Sequence, residues 1–208
     1  MRFISHLDIQ RLLHRAFRRA GVPIAYSQGF NPHPQLSFAT ALSTGFTSSA
    51  EWLDVKLEKD MAAEDFLRLA NGALPEGFRL LEAHAAEEKL PTLTALLAQA
   101  CYTLTFAPDT DASALESGMN ALLSGPVVVE KRTKGGIKPV DIRPQVLSAK
   151  FSQEAENLAM TLTGVLNASG SLNIELLMGA LREKTGMDYE YSVHRDCVMF
   201  ANGRSTPV

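Results

Sequence analysis

Apolar and polar residues at the start of the chain recur with the period of an α-helix. Leu7, Ile9, Leu12, Leu13, Ala16, Phe17 and Ala20 share one face at helical spacing. Ser5 stands three residues before Asp8, which is a variant of the capping box, and Gly21 and Pro23 follow the last apolar position. The pattern therefore predicts a helix from His6 to Ala20.

After this helix the apolar pattern takes the two-residue period of β-strands. It predicts strands over residues 35–42 and 51–58, a helix capped by Asp60 that continues to Leu74, and a strand near residues 78–83. In the second of these strands one face holds Leu53, Val55 and Leu57, and the other holds Trp52, Asp54 and Lys56. A ferredoxin-like unit needs one more strand at the start, of which only Arg2 to Ile4 remain.

A second series of elements repeats this order. It has strands at 100–106, 127–131, 138–142, 147–153, 158–166 and 189–200, a helix at 111–123 and a helix from a Ser171 cap to Lys184. The Ala- and Glu-rich stretch 84–92 marks the boundary, which gives domains 1–88 and 89–208. We therefore predict an α+β fold of two ferredoxin-like α/β sandwich units side by side, with antiparallel sheets.

The segment YSQGFNPHPQLSF, residues 26–38, has a stiff backbone. Prolines on both sides of His33 exclude a helix, and Gly29 permits a turn. The side chains of Phe30, Asn31 and His33 would project from this backbone with little left to order on binding. Such a segment suits a recognition loop, and it equally suits a tight connection between two strands.

Charge is distributed unevenly along the chain, whose net charge is only −3. Residues 1–38 hold five arginines and one aspartate, and residues 130–151 hold six basic and two acidic residues, so each segment carries +4. The rest of the chain is acidic. Two local basic segments favour a polyanion site, although solvated surface would also account for them.

The basic residues themselves form two patterns. Arg11, His14, Arg15 and Arg18 lie three or four residues apart on the predicted first helix and form a cationic stripe. Gly135 and Gly136 predict a hairpin tip, flanked by Lys131, Arg132 and Lys134 on one strand and by Lys138 on the other, with Arg143 following. Such a ribbon suits a phosphate backbone, and the alternative is a solvated hairpin whose lysines prevent edge aggregation.

Several kinds of chemistry have no sequence signature in this chain. The sequence contains no Walker-type phosphate loop, dinucleotide fingerprint, HExxH, nucleophile elbow or pair of CxxC motifs. Cys101 and Cys197, each in a strand-like run, favour buried reduced thiols over a disulfide framework or a metal site. His6, His33 and His194 with Asp8 are weak metal candidates, and we expect no metal. The chain lacks a membrane span and a secretory signal, so we expect a cytoplasmic protein.

Four stretches together resemble a known family. They are RFISHLD (residues 2–8), GVPIAYSQGFNPHPQLSFA (21–39), EWLDVKL (51–57) and KPVDIRP (138–144). They resemble the radical SAM-associated family of bacterial domains of unknown function, whose members are encoded beside a radical SAM protein or fused after one. Members usually have a basic strand before RFISHLD, so the chain is expected to be short at its N-terminus.

The resemblance implies a partner more than an activity. The radical SAM partner would carry S-adenosylmethionine and an iron–sulfur cluster, and this chain would carry no cofactor. The preferred hypothesis is an accessory module that presents a transfer or ribosomal RNA to that partner. In it Arg11, Arg15, Arg18, Lys131, Arg132, Lys134 and Arg143 contact phosphates, and Tyr26, Phe30, Asn31 and His33 contact bases.

Two alternatives stay open at the level of sequence. One is a stand-alone RNA nuclease or transferase that uses His6, Asp8 and His33 as acid and base groups. The other is a protein-only adaptor, in which the cationic stripe and Trp52 meet the radical SAM partner.

Overall fold

The computed structural model describes residues 2–86, 91–133, 136–154 and 157–207. Within these ranges one unit comprises residues 2–46, 51–96 and 207, and a second comprises residues 47–50 and 97–206. The predicted boundary at residues 88 and 89 falls outside the described ranges. Each unit is therefore described by itself below.

The elements follow one another in a mixed order of helices and strands. They are α1 (His6–Arg19), β1 (Leu36–Phe38), β2 (Thr47–Ser48), β3 (Leu53–Val55), α2 (Ala63–Ala73), α3 (Leu93–Leu96), β4 (Leu97–Phe106), α4 (Ala112–Leu123), β5 (Val128–Thr133), β6 (Gly136–Asp141), a 3-10 turn (Arg143–Gln145), β7 (Val146–Glu154), β8 (Asn157–Asn167), β9 (Gly170–Ser171), α5 (Ile174–Thr185) and β10 (Tyr191–Phe200). The predicted α+β class is confirmed.

The first unit packs α1 and α2 around a small core with a two-stranded sheet. β1 and β3 pair antiparallel, with Leu36 opposite Val55. The predicted first helix is confirmed, and its apolar face supplies the fully buried Phe17. The core consists of Leu13, Phe17, Val22, Ile24 and Ala70, with the predicted apolar face of β3 packed against it. Burial of this face thus positions the opposite, polar face of α1 toward solvent.

Three predictions for this unit are wrong. Asp60 does not cap α2, which begins at Ala63 after an Ala62 N-cap that makes no side-chain hydrogen bond. Residues 78–83 form no strand, because the side chain of Asn71 on α2 takes both backbone groups of Leu80: its amide nitrogen donates to the Leu80 carbonyl at 2.9 Å and its amide oxygen accepts from the Leu80 N–H at 2.8 Å. Residues 2–4 form no strand either, since Arg2 bonds the Gly45 backbone through its own carbonyl, at 2.9 Å, and through its side chain.

The second unit is built on a six-stranded sheet. Its order is β2-β10-β4-β8-β7, with β9 paired to β8. β2 runs parallel to β10 and the other pairs are antiparallel, so the prediction of purely antiparallel sheets is wrong for this edge. Short parallel pairing is possible here because the Thr47 and Ser48 hydroxyls also donate to carbonyls of β10.

One face of this sheet carries the core of the second unit. Leu104 on β4 lies opposite both Met160 on β8 and Val193 on β10, and all three are buried. Helices α4 and α5 add fully buried apolar residues, namely Leu115, Met119, Leu177 and Leu181. The two helices lie so close that a Cβ on Gly118 would stand 2.5 Å from a methyl of Thr185.

The predicted helix at 111–123 is confirmed as α4, and the predicted Ser171 cap of α5 is wrong. Asp111 accepts a hydrogen bond from the Ala114 N–H at 3.0 Å. Ser171 lies in β9 instead, and Asn173 caps α5 by accepting from the Leu176 N–H at 3.0 Å. Asparagine and serine are about equally good caps, and Asn173 takes this role because it directly precedes the first residue of the helix.

The described structure does not show two ferredoxin-like units. In the first unit the described strands form only the β1–β3 sheet, where a ferredoxin-like sandwich has four strands. The hairpin of β5 and β6 forms a further two-stranded sheet, separate from the main sheet. Every helix within the described ranges is too short or too polar to cross a bilayer.

Candidate nucleic-acid interface

The N-terminus of α1 is fixed by a side-chain cap. The Ser5 hydroxyl accepts from the Asp8 N–H at 3.2 Å and donates to the Asp8 carboxylate at 2.7 Å. This hydrogen bond, and after it the Arg11 guanidinium at 3.1 Å, lowers the pKa of the Asp8 carboxyl below its usual value. Asp8 is therefore an anchored anion at the start of the cationic stripe.

The cationic stripe lies on the solvent face of α1. Arg11, Arg15 and Arg18 are exposed and His14 is half-buried. Arg15 and Arg18 form no salt bridge with any residue that the structure describes. Arg19, outside the stripe, instead donates to the Ala73 carbonyl. Two guanidinium groups of the stripe are thus available to an anion.

Tyr26 connects the stripe to the loop that follows it. Its hydroxyl lies 2.7 Å from Nε2 of His14, and the two rings meet edge to face with centroids 5.8 Å apart. The predicted base-contacting tyrosine is therefore positioned against the helix, half-buried. This contact joins the cationic stripe and the neck of the loop in one surface of the first unit.

The loop 27–33 is closed at its neck by two hydrogen bonds. The Ser27 N–H donates to the His33 carbonyl at 2.8 Å, and the His33 N–H donates to the Ser27 hydroxyl at 2.9 Å. Gly29 has φ +126°, a conformation that side-chain-bearing residues rarely adopt. The segment is non-helical and turns at Gly29 as predicted, and its ends are joined by one backbone hydrogen bond and one bond to the Ser27 side chain.

The closed loop presents three side chains to solvent. Phe30, Asn31 and His33 are all exposed, and the relative exposure of Phe30 is 113%. No side-chain hydrogen bond holds Asn31 or His33 among the described residues. A ring with this exposure has no packing role in the unit and is accessible to a binding partner.

The three acid–base candidates do not come together. Nε2 of His6 lies 3.3 Å from the Gln10 amide nitrogen, and its ring meets Phe38 edge-on with centroids 5.1 Å apart. Asp8 is held by its cap and by Arg11, and His33 has no such contact. The described part of the first unit therefore shows no assembled acid–base pair from these residues.

His194, the remaining metal candidate, lies on β10 in the second unit. Nδ1 of His194 lies 2.8 Å from the Thr47 hydroxyl and Nε2 lies 3.1 Å from the Ser49 hydroxyl, so both ring nitrogens are engaged. Among the described residues no three His, Cys, Asp or Glu side chains form a group that could hold a metal ion.

The hairpin of β5 and β6 places two lysines opposite each other. Lys131 pairs with Lys138, and Arg132 pairs with Ile137. Because side chains alternate along a strand, the lysine pair and Arg132 lie on opposite faces. Lys138 and Arg132 are exposed and Lys131 is half-buried, while Lys134 lies outside the described residues. Facing cations repel, so an anion between them relieves an unfavourable contact.

Arg143 fixes the base of this hairpin. Its Nε donates to the Leu123 carbonyl at 2.7 Å and its Nη1 to the Val146 carbonyl at 2.9 Å. Asp141 accepts from the N–H groups of Val127 and Arg143, both at 2.9 Å. Arg143 thus has a structural role, and a phosphate contact would use its remaining guanidinium donors.

The comparison with family models covers most of the chain. Residues 1–176 match the family described as an uncharacterized protein conserved in bacteria (DUF2344). The chain belongs to this family. A search of curated proteins gave no match. The matched residues of this family member include α1, the loop 27–33 and the β5–β6 hairpin, and they end within α5.

Sequence reasoning missed three contributors to these surfaces. His14 was assigned to the stripe but not as the partner of Tyr26, Ser27 was not recognised as the latch of the loop, and Lys138 was not assigned to the site. The spacing of the stripe indicates His14, and the strand register that pairs Thr133 with Gly136 indicates Lys138. No local pattern signals Ser27.

Proposed function

We propose that this protein is an RNA-binding accessory module that presents a transfer or ribosomal RNA to a radical SAM modification enzyme. The observation that carries the proposal is one continuous surface of the first unit. On it the cationic stripe meets Tyr26 through His14, and the latched loop 27–33 displays Phe30. Cations that track phosphates beside an exposed aromatic ring are the combination that single-stranded RNA sites use.

The phosphate contacts come from cations that lack an intramolecular anion. Arg15 and Arg18 have no salt bridge with a described residue, whereas Arg11 is partly neutralised by Asp8. The Lys131–Lys138 pair supplies the second positive group, with Arg132 on the other hairpin face. Lys134 remains part of this proposal from the sequence alone, and Arg143 contributes with its remaining donors.

The base contacts come from the loop 27–33 and its neck. Phe30 offers an unobstructed ring for stacking, Asn31 offers an amide for a base edge, and His33 offers a second ring. The ordering cost of the loop on binding is reduced because its ends are already joined through Ser27. Tyr26, held by His14, would stack at the edge of the same surface.

The scaffold is consistent with an RNA module. A ferredoxin-like second unit is supported by the order β4-α4-β7-β8-α5-β10, the sheet order β10-β4-β8-β7 and the antiparallel neighbours. We extend the proposal to the first unit, where α1, β1, β3 and α2 follow the middle of the same order. Four-stranded α/β sandwiches of this kind include the RRM, whose sheet stacks bases.

The radical SAM partner rests on the sequence resemblance. The partner would hold S-adenosylmethionine and the iron–sulfur cluster, and this chain would hold neither. Affinity purification of the chain from a bacterial host, with and without nuclease, tests this point. If a radical SAM protein is captured and nuclease treatment lowers the amount captured, the result supports presentation of RNA. Capture that nuclease leaves unchanged supports the protein-only adaptor instead.

Phe30→Ala tests the RNA surface directly. Loss of one base stack costs about 1–3 kcal/mol, which is a roughly 5- to 150-fold loss of affinity for a single-stranded RNA. Phe3→Ala is the matched control, since Phe3 is also exposed, at 76%, in the same unit. Equal, unchanged affinity for both variants in fluorescence anisotropy would reject base stacking at this loop.

His33→Ala distinguishes a module from a stand-alone enzyme. If the protein is a binding module, loss of the His33 side chain weakens RNA binding modestly. RNA incubated with the wild-type chain or with the variant, without a partner, then stays intact. RNA processing by the wild-type chain that His33→Ala abolishes, with binding intact, would establish the enzyme alternative.

A further inference from the structure

The two cysteines of the chain are cross-strand neighbours in the second unit. Cys101 on β4 and Cys197 on β10 are Cα partners in the antiparallel register. Facing residues in such a ladder have Cα atoms about 4.5–5.5 Å apart, inside the range of about 4.4–6.8 Å that a disulfide spans. Both thiols are free and half-buried. Sequence separation had argued against a disulfide, and the register removes that objection.

The pair lies on the sheet face opposite the core. Ala100 and Val198, which flank the two cysteines, are buried at 0% and 2% exposure, so the alternating cysteines point the other way. The register shifts between Arg195 and Cys197, a bulge beside the pair. Bulges re-aim neighbouring side chains. A partly open face gives a small disulfide access to the thiols.

We propose that Cys101 and Cys197 form a reversible disulfide by exchange with a small-molecule disulfide such as oxidised glutathione. One protein thiolate attacks a glutathione sulfur and releases the first glutathione thiolate. The second protein thiolate then attacks the protein sulfur of the mixed disulfide and releases the second glutathione thiolate. The protein gives up two protons and two electrons, and oxidised glutathione becomes two reduced glutathiones. The new bond joins β4 to β10, two central strands of the sheet.

The rate of closure has a defined pH dependence. Burial, and after it the neighbouring Cys101 thiol, raises the pKa of the Cys197 thiol to about 11. Because the thiolate is the attacking species, exchange is slow near neutral pH and accelerates as pH rises. Closure is therefore a response to sustained oxidising conditions rather than to a brief pulse.

Oxidation of the full chain with oxidised glutathione tests the proposal. We expect intact mass spectrometry to show loss of two hydrogens, peptide mapping to join the peptides of Cys101 and Cys197, and reduced glutathione to reverse both. Cys101→Ser and Cys197→Ser should gain at most one glutathione and never close. The same exchange in concentrated guanidinium chloride measures the contribution of the register.

The native register should favour closure by roughly tenfold or more over the denatured chain, because it fixes the two sulfurs as neighbours. Stable glutathione adducts or unchanged mass in the native protein, with closure only in denaturant, would overturn the proposal. Equal closure equilibria in both conditions would also overturn it, since the register would then confer no proximity.

Discussion

Lys138→Glu separates a binding role of the facing lysines from a structural one. Lys131 and Lys138 are register partners, and neither forms a salt bridge with a described residue. A facing like-charge pair is unfavourable by roughly 0.2–1 kcal/mol, and an opposite-charge pair is favourable by a similar amount. Lys138→Glu removes the like-charge pair and creates an opposite-charge pair. After solvent screening we expect the opening free energy of the hairpin to rise by about 0.5–1 kcal/mol.

The same substitution should weaken RNA binding. It replaces a proposed phosphate-contacting cation by an anion, so the slope of log affinity against log salt should fall by about 0.7–0.9. Native-state hydrogen exchange of the β5 and β6 amides measures the stability change, and fluorescence anisotropy across a salt series measures binding. A variant that merely damages the fold would lower both the stability of the hairpin and the affinity for RNA.

Charge reversals at related positions control this experiment. Lys131→Glu should behave like Lys138→Glu, and the double reversal should restore repulsion, now between anions, and lose binding further. Lys150→Glu on β7, which faces Thr161, makes the same change in charge without a facing cation. Faster hairpin exchange in Lys138→Glu, or an RNA affinity equal to that of the Lys150 variant, would refute the reasoning.

Three further substitutions test contacts within the units. Tyr26→Phe removes the 2.7 Å bond to the stripe histidine and should lower unfolding free energy by about 1 kcal/mol in urea titrations, so an unchanged midpoint would contradict that bond. Asp8→Asn should destabilise the protein at pH values above 3.8, the usual pKa of this carboxyl, because folding lowers that pKa. The difference in stability between the variant and the wild-type chain should vanish as pH falls through the lowered pKa, and a difference independent of pH would contradict this prediction. Gly164→Ala, whose Cβ would lie 2.5 Å from a Leu172 methyl, should cost about 1–3 kcal/mol, whereas its control Gly179→Ala, inside α5 with open space around the new Cβ, should stabilise by up to about 1 kcal/mol.

Local patterns predicted the elements that depend on neighbouring residues. The helix α1 is specified by its own apolar stripe and its Ser5 cap, and both lie within one short segment. The long strands β4, β8 and β10 have enough alternating residues to show their period. Hairpin pairing of β5 and β6 follows from a short tip between two strand-like runs. These features need no information about distant parts of the chain.

Features that depend on contacts between residues distant in the sequence were not predicted. The segment near Leu80 has strand-like composition, but its backbone partner is the Asn71 side chain, so it forms no strand. The parallel pairing of β2 with β10 joins residues that are far apart in the sequence, and so does the pairing of Cys101 with Cys197. The cap of α5 was misassigned because Ser171 and Asn173 lie close together, and α2 begins after Ala62 without any side-chain cap.

Salt dependence of RNA affinity in single-arginine variants tests the central claim most directly. Arg15→Gln and Arg18→Gln each remove one unpaired cation of the stripe while keeping a residue with good helix propensity. Arg68→Gln, on α2 of the same unit, removes an exposed arginine outside the stripe that pairs with Asp65 at 2.7 Å. We predict that each stripe variant lowers the salt slope by about 0.7 for single-stranded RNA while the control leaves it unchanged. Equal slopes for all three variants and the wild-type chain would contradict an RNA-binding role for this surface.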